Sequence, residues 1–470
     1  MSLQALVQTL VTVFPANPDL DLLVLSCTLS SGSTSRSLRG RTHSGQTRFP
    51  ESPEELDVDE LRGELEANPW TAEITVHRDG GWRFFAVRGD PRETIIGPTS
   101  FPETPATLPE LPTEVRGQIA DLWARGSGDY LAEDGAGVDK LSDLAAAIGQ
   151  PVPPEIAEIL RLSDGAEIRL EVEDWDRTLT AGWSLLSTGG IAAAHAEWAD
   201  LAATGPFDGV AYTLGTPGAT QPRLAHPGWI PFAHDHSGNH LAVDTVPGPT
   251  GVAGQVLEFG SDLDFGPFVH ADSILDFLAG RRTTWPSDPG IDHRVQLEDG
   301  GTLTGEQFPG TAQSLRIFGR GEVEGAALVQ APSVRSLLIR GAARVDLNGL
   351  LERPLQELRL LDLEDIDLGP LAGHPTLRSV TLENVGRIRG ADALEHLPAL
   401  ESVSLSGPVP DELVDALRTH PGLRRLALTD HDQPLEEITA LINRILPEPL
   451  VTVERSGKTP HRPRDGITPS

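Results

Sequence analysis

The sequence predicts an α+β multidomain protein whose last third is an α/β repeat solenoid. Three observations carry that reading. The chain has 470 residues, too many for one ordinary core, so two to four domains are expected. Two proline-rich seams, at 97–112 and 283–294, divide it into three parts. Beyond the second seam a leucine-spaced unit returns about every 22 residues. The expected order is a small α+β module at 1–96, a linker at 97–112, and a second α+β domain at 113–282. A linker at 283–294, a solenoid at 295–453 and a disordered tail at 454–470 follow.

The opening residues place Leu3, Leu6, Val7, Leu10 and Phe14 on one helical face. They lack a basic leader and are interrupted by Gln4, Gln8 and Thr9, so an amphipathic helix fits better than a signal peptide. Asp19 to Leu29 is β-like, and Glu54 to Leu65 has helical spacing. Ala72–His77 and Trp82–Val87 flank Asp79-Gly80, a strong hairpin signal. The opening helix, the strand through Leu22–Cys27 and the hairpin NPWTAEITVHRDGGWRFF from Asn68 to Phe85 resemble the YezG-like family of bacterial immunity proteins.

In the middle part, Val138–Ile148 is helical, with Leu141, Leu144, Ala145 and Ile148 on one face. Pro153-Pro154-Glu155 starts the next helix, since proline suits a first turn and Glu its positive end. That helix ends at Ser163-Asp164-Gly165. Strand-like runs follow at Trp183–Leu186, Trp229–Ala233, Leu241–Asp244 and Gly254–Leu257. Helices are expected at Ile191–Leu201 and Asp272–Ala279, the latter capped by Asp272 or Ser273. The pieces VPPEIAEILRLSDGAE, GWSLLSTGGIAAAHAEW, GWIPFAHDHSGNHLAVD, GQVLEF and HADSILDFL, in that order from about Val138 to Leu278, resemble the SUKH superfamily, the Smi/Knr cell-wall-assembly-regulator family. The resemblance implies a curved antiparallel sheet with flanking helices. It also implies binding rather than catalysis. Bacterial members resemble immunity proteins that neutralise secreted toxins, and fungal members are linked to cell-wall synthesis.

In the last third, L-x-x-L-x-L recurs at Val334/Leu337/Ile339, Leu355/Leu358/Leu360, Leu377/Val380/Leu382, Leu400/Val403/Leu405 and Leu423/Leu426/Leu428. A degenerate unit sits at Ala312/Leu315/Ile317, and Val295–Leu297 suits a first strand. A proline precedes each of the five full units. This resembles leucine-rich repeats, in which each unit adds a parallel strand and buries its leucines against the next. Glu364 and Val385 stand where the usual asparagine would, which leaves the curvature open.

Composition limits the function. Asp and Glu number 69 against 37 Lys and Arg, for a net charge of −32. Such a field repels nucleic acid and anionic membranes and favours basic protein partners. No stretch reaches the roughly 20 apolar residues of a membrane span, so the expected compartment is the cytoplasm. Lysine occurs only at 140 and 458, which fits the GC-rich coding bias of a bacterium. Cys27 is the sole cysteine, which excludes an intrachain disulfide and a Cys-rich zinc site.

Three clusters compete as sites. Glu171, Glu173, Asp174 and Asp176 put four carboxylates around Trp175, a surface for a basic partner or simply a solvated run. Outward strand positions carry Arg316, Arg335, Arg359, Arg378, Arg424 and Arg425, which could align as a basic stripe or each merely solubilise its strand. His234, Asp235, His236 and His240 have metal-ligand chemistry but straddle a Ser237-Gly238-Asn239 turn. A hairpin could bring two of them together, yet no supporting partner set is visible, and the reading taken is a turn without metal. Ser456-Gly457-Lys458-Thr459 mimics the end of a phosphate loop but lacks its first glycine, and Pro460 blocks the helix. No catalytic residues and no cofactor are therefore assigned. The expected function is non-enzymatic protein binding: an immunity protein that occludes a basic toxin domain. The alternatives are a regulatory scaffold that binds proteins through its repeats, and a metal-dependent hydrolase at His234 and Asp235.

Overall fold

The computed structural model describes residues 3–11, 20–29, 34–42, 47–48, 65, 69–79, 81–99, 101–169, 172–174, 177–204, 209–212, 214–263, 265–283, 290–303, 309–428 and 434–458. They fall into two compact units: 1–96 together with 403–470, and 97–402.

The first unit opens with helix α1 (Leu3–Val11), which buries Leu3, Leu6, Val7, Leu10 and Val11. Strands β1 (Leu20–Leu29), β2 (Thr34–Thr42), β3 (Thr47–Arg48), β4 (Trp70–His77) and β5 (Gly81–Arg88) form an antiparallel sheet in the order β5-β4-β1-β2-β3. In β1 the alternation of Leu23, Leu25, Cys27 and Leu29 sends one face to the core, where α1, Ile74, Val76 and Phe84 meet it. The β4–β5 hairpin closes as expected, with Val76 opposite Trp82. The helix expected at Glu54–Leu65 lies outside the described residues, apart from buried Leu65. A short strand, β6 (Glu93–Ile95), ends this stretch.

The second unit begins with an extended segment that is less independent than the linker expected at 97–112. Leu108 and Leu111 pack on the core of the domain that follows, and Ala106 N donates to the Thr245 carbonyl at 2.7 Å. Prolines fix the extended path, and leucines between them anchor it. That domain has helices α2 (Thr113–Gly126), α3 (Val138–Ile148), α4 (Pro154–Leu162), α5 (Thr188–Thr204) and α6 (Ile274–Leu278). Its strands are β7 (Tyr130–Ala132), β8 (Ala166–Ile168), β9 (Ser184–Leu185), β10 (Trp229–His234), β11 (Asn239–Asp244), β12 (Val256–Gly260) and β13 (Phe268–Ala271). They make a consecutive antiparallel meander, β7 to β13. Helix α6 is capped by Ser273, whose hydroxyl accepts from Asp276 N at 3.0 Å. The Glu155 carboxylate reaches across from α4 to accept from Ile274 N at 2.7 Å.

The repeat stretch follows within the same unit. Strands β14 (Asp292–Leu297), β15 (Ser314–Gly319), β17 (Ser336–Arg340), β19 (Glu357–Leu361) and β21 (Ser379–Glu383) pair in parallel without a register slip. Val295, Ile317, Ile339, Leu360 and Leu382 thereby line up as one buried row. Leu315, Leu337, Leu358 and Val380 make a second. On the return side β16 (Glu322–Val323) pairs with β18 (Arg344–Val345), and β20 (Asp365–Asp367) with β22 (Arg387–Arg389), also in parallel. Gly319 has φ 117°, and a Cβ there would lie 2.1 Å from the Leu297 carbonyl oxygen, so the turn after β15 requires glycine.

From Val403 the chain belongs to the first unit again. Strand β23 (Ser402–Ser406) leads to helix α7 (Asp411–Thr419), strand β24 (Arg425–Leu428), helix α8 (Leu435–Ile445) and strand β25 (Thr452–Lys458). Strand β24 pairs antiparallel with β6, with Leu426 opposite Thr94. Strand β25 pairs antiparallel with the outer edge of β5, from Thr452 opposite Val87 to Lys458 opposite Gly81. The boundary between the two units falls between Ser402 and Val403, inside the stretch 295–453. The tail expected to be disordered from Glu454 instead continues as strand to Lys458. The physical reason is the edge: β5 offers a row of backbone groups that need partners. Val453 packs against the core, and Arg83 on β5 pairs with Glu454 at 2.7 Å and also with Glu436.

Candidate functional site

The β10–β11 hairpin is shaped by Asp235. Its carboxylate accepts from Ser237 N (2.8 Å), Ser237 Oγ (2.7 Å), Asn239 N (3.0 Å) and Asn239 Nδ2 (2.7 Å). Burial would raise its pKa, but these bonds to the ionised form outweigh it and hold the carboxyl below its ordinary range. The turn puts His236 at φ 63°, a left-handed conformation uncommon for a side-chain-bearing residue. The imidazole is thereby folded back toward β8.

Three groups converge there. His234 Nε2 lies 3.4 Å from one oxygen of Glu167, and His236 Nε2 lies 3.1 Å from the other. The two rings pack edge to face, 4.2 Å between centroids. Ser184 Oγ is 3.2 Å from His236 Nε2 and accepts from Ile168 N at 3.2 Å. Strand β9 thus sits between the strands that carry Glu167 and His234, and Ser184 is the direct cross-strand partner of His234. Burial lowers the His234 pKa, the neighbouring His236 adds to that, and Glu167 opposes both. His240 is engaged elsewhere: its Nδ1 accepts from Trp198 Nε1 at 3.2 Å.

Behind the sheet, two buried carboxyls hold loops. Asp164 accepts from Thr188 N at 2.7 Å and pairs with Lys140 Nζ at 2.5 Å, which ties the end of α4 to the start of α5. Asp244 is fully buried and accepts from Val246 N at 2.9 Å and Gln255 Nε2 at 2.8 Å. Desolvation dominates, and the Asp244 pKa is pushed up to about 7.

One family comparison falls on this domain. The SMI1/KNR4 family (SUKH-1) matches residues 135–280. Residues 135–280 are a SUKH-1 domain. Over 62 residues the chain is 48% identical to the cell wall assembly regulator SMI1 of Saccharomyces cerevisiae. Over 63 residues it is 56% identical to the cell wall biosynthesis/cell cycle regulator smi1 of Schizosaccharomyces pombe. Each alignment spans 13% of this chain and 12% of the fungal protein. A third similarity, 31% identity over 144 residues, is to F-box/LRR-repeat protein 12 of Bos taurus, covering 27% of this chain and 44% of that protein.

The SUKH-1 domain contacts the repeat strands through side chains that the sequence placed on an open stripe. Arg378 is buried, donates to the Pro222 carbonyl at 2.8 Å, and pairs with Glu401 at 3.0 Å. Arg223 grips the same carboxylate with two bonds, 3.0 and 2.7 Å. Burial alone would raise the Glu401 pKa, but the two guanidiniums outweigh it and hold the carboxyl below its ordinary range. Nearby, the Tyr212 hydroxyl hydrogen-bonds with Ser314 and Ser336, and burial pushes its pKa up. Leu214 and Phe268 of the domain form one apolar cluster with Ile291, just before β14.

The arginines therefore do not line up as a basic stripe, one of the two arrangements left open for them. Arg359 pairs in register with Leu338 and Thr381, and Arg316 with Arg294 and Leu338, so that row is interrupted. Arg335 and Arg378 lie three positions earlier, linked through Gln356, whose N donates to the Arg335 carbonyl and whose carbonyl accepts from Arg378 N. Arg335 is half-buried, and burial lowers its pKa. Arg424 and Arg425 belong to the other compact unit. Of the acidic loop, Glu173 and Asp174 are exposed, and Asp174 pairs with Arg177 at 2.9 Å. Glu171, Trp175 and Asp176 lie outside the described residues. Sequence reasoning missed Glu167 and Arg223. Glu167 follows the Ser163-Asp164-Gly165 turn as the outward residue of a three-residue strand, a signal too short to read.

Proposed function

We propose that this chain is a non-enzymatic regulatory scaffold that binds protein partners in the cytoplasm. The observation that carries the reading is the SUKH-1 domain, whose fungal relatives are named as cell-wall regulators. The chain spans only 12% of those two proteins, so the role is proposed here for the domain and its attached repeats. We read the parallel strands as leucine-rich repeats, supported by the L-x-x-L-x-L spacing, the unbroken register and the similarity to an F-box/LRR-repeat protein. In this scheme the repeats present a partner surface, and the SUKH-1 domain, tied to them at Glu401, presents another. A second reading, an immunity protein that occludes a basic toxin domain, is favoured by the net charge of −32.

Affinity capture with the full chain, followed by mass spectrometry, distinguishes the two. Recovery of wall-polymer synthesis or signalling proteins supports the scaffold. Stoichiometric recovery of a single basic toxin domain, with loss of its toxicity, replaces it with the immunity reading. Turnover of a substrate by the purified chain would overturn both.

A further inference from the structure

We propose that Glu167, His234 and His236 form a divalent transition-metal site, with Zn²⁺ the best-matched ion, on the SUKH-1 sheet. Their ligand atoms, one carboxylate oxygen and two imidazole nitrogens, all lie within 4.8 Å of one another. Two histidines and one carboxylate are borderline-to-hard donors that suit zinc and its first-row neighbours. Both Nε2 atoms face the same carboxylate, one toward each oxygen, so a cation between them meets all three donors with only small side-chain rotations.

The surroundings hold one of the donors, His236, in place. Asp235 spends its carboxylate on four turn hydrogen bonds, and these fix the backbone that turns His236 inward. Fixing a ligand from outside the site in this way is usual in metal centres. Ser184 Oγ, 3.2 Å from the ligating His236 Nε2, gives up that contact when a cation binds. His236 and Glu167 are each about half exposed, at 53% and 52%. Three protein donors on an open face leave coordination positions for water or for a donor from a binding partner. A chain of net charge −32 also concentrates cations. The site goes beyond the scaffold reading, because a scaffold needs no metal.

The test uses the full chain without a histidine tag, stripped with chelator and titrated with Zn²⁺ alone by calorimetry. Elemental analysis after gel filtration gives the stoichiometry, and Co²⁺ substitution gives visible bands that report the ligand set. One Zn²⁺ per chain is expected. It should be lost in the double variant His234→Ala/His236→Ala and weakened roughly tenfold or more in Glu167→Gln. His396→Gln, on a repeat turn, should bind as the wild type does. Glu167→Gln conserves shape at an exposed position, so it decides the matter if the double variant fails to fold. No retained Zn²⁺ in the wild type, or equal retention in Glu167→Gln, would leave the cluster as hydrogen bonds only and overturn the proposal.

Discussion

Glu401 shows how much one side chain can hold. Two guanidiniums, from Arg223 and Arg378, share its carboxylate at 18% side-chain exposure. Glu401→Ala leaves both cations part-buried without their partner, which should cost about 3 kcal/mol in chemical denaturation. Asp244 acts in the opposite sense. Its folded-state pKa of about 7 stands above the ordinary value, so the folded state holds a proton that the unfolded state releases. Stability contributed by this group is present at low pH and declines as pH rises from about 4 to about 7, by up to about 4 kcal/mol. Asp244→Asn removes that ionisation. Urea midpoints of this variant across the window should be flatter than those of the wild type, and identical slopes would show that Asp244 does not titrate there.

At the scale of elements, much of the repeat stretch was legible. The spacing of Leu337, Leu358 and Val380 fixes which side chains line up once strands stack in parallel, and they do. Leu382→Asp places a charge in the buried row. It should lower stability by several kcal/mol, read as a loss of far-UV ellipticity or a lower Tm, and an unchanged melt would mean the row is not core. What the sequence could not reveal is pairing between distant strands. Glu167 and His234 lie on strands either side of β9, and their side chains meet across the small Ser184 that pairs with His234. Arg378 reads as an outward strand position, and only the approach of Pro222 makes it interior. The last strand misled for the same reason: Glu454 to Lys458 has little to bury, yet its backbone completes the β5 edge. Truncation after Val451 should therefore destabilise the first unit rather than leave it unaffected. The single thiol reports on this. Burial pushes the Cys27 pKa up to about 12, so it should react with Ellman's reagent only on unfolding, and faster in the truncated chain.

For the whole molecule, charge governs encounter more than affinity. With 69 acidic against 37 basic residues, association with a basic partner should slow as salt rises, because screening shortens the reach of the field to about 8 Å at physiological ionic strength. Glu173 and Asp174 are the described acids of the exposed loop. Reversing both to Arg should slow association roughly tenfold at low salt and less at high salt, with dissociation little changed. Surface-plasmon kinetics at two salt concentrations against the captured partner would read this, and an unchanged low-salt rate would move the contact away from the loop.

The first unit draws its residues from both sides of the second, 1–96 and 403–458, and synthesis proceeds in one direction. On the ribosome, residues 97–402 are complete while the β5 edge still lacks β25. The first half of that sheet must wait through more than three hundred residues of elongation, at about 5–20 residues per second, with its backbone groups unpaired. An exposed strand edge of that kind is a template for pairing with other chains. The β5 edge therefore stays open to such pairing until β25 has left the exit tunnel and taken its place beside it.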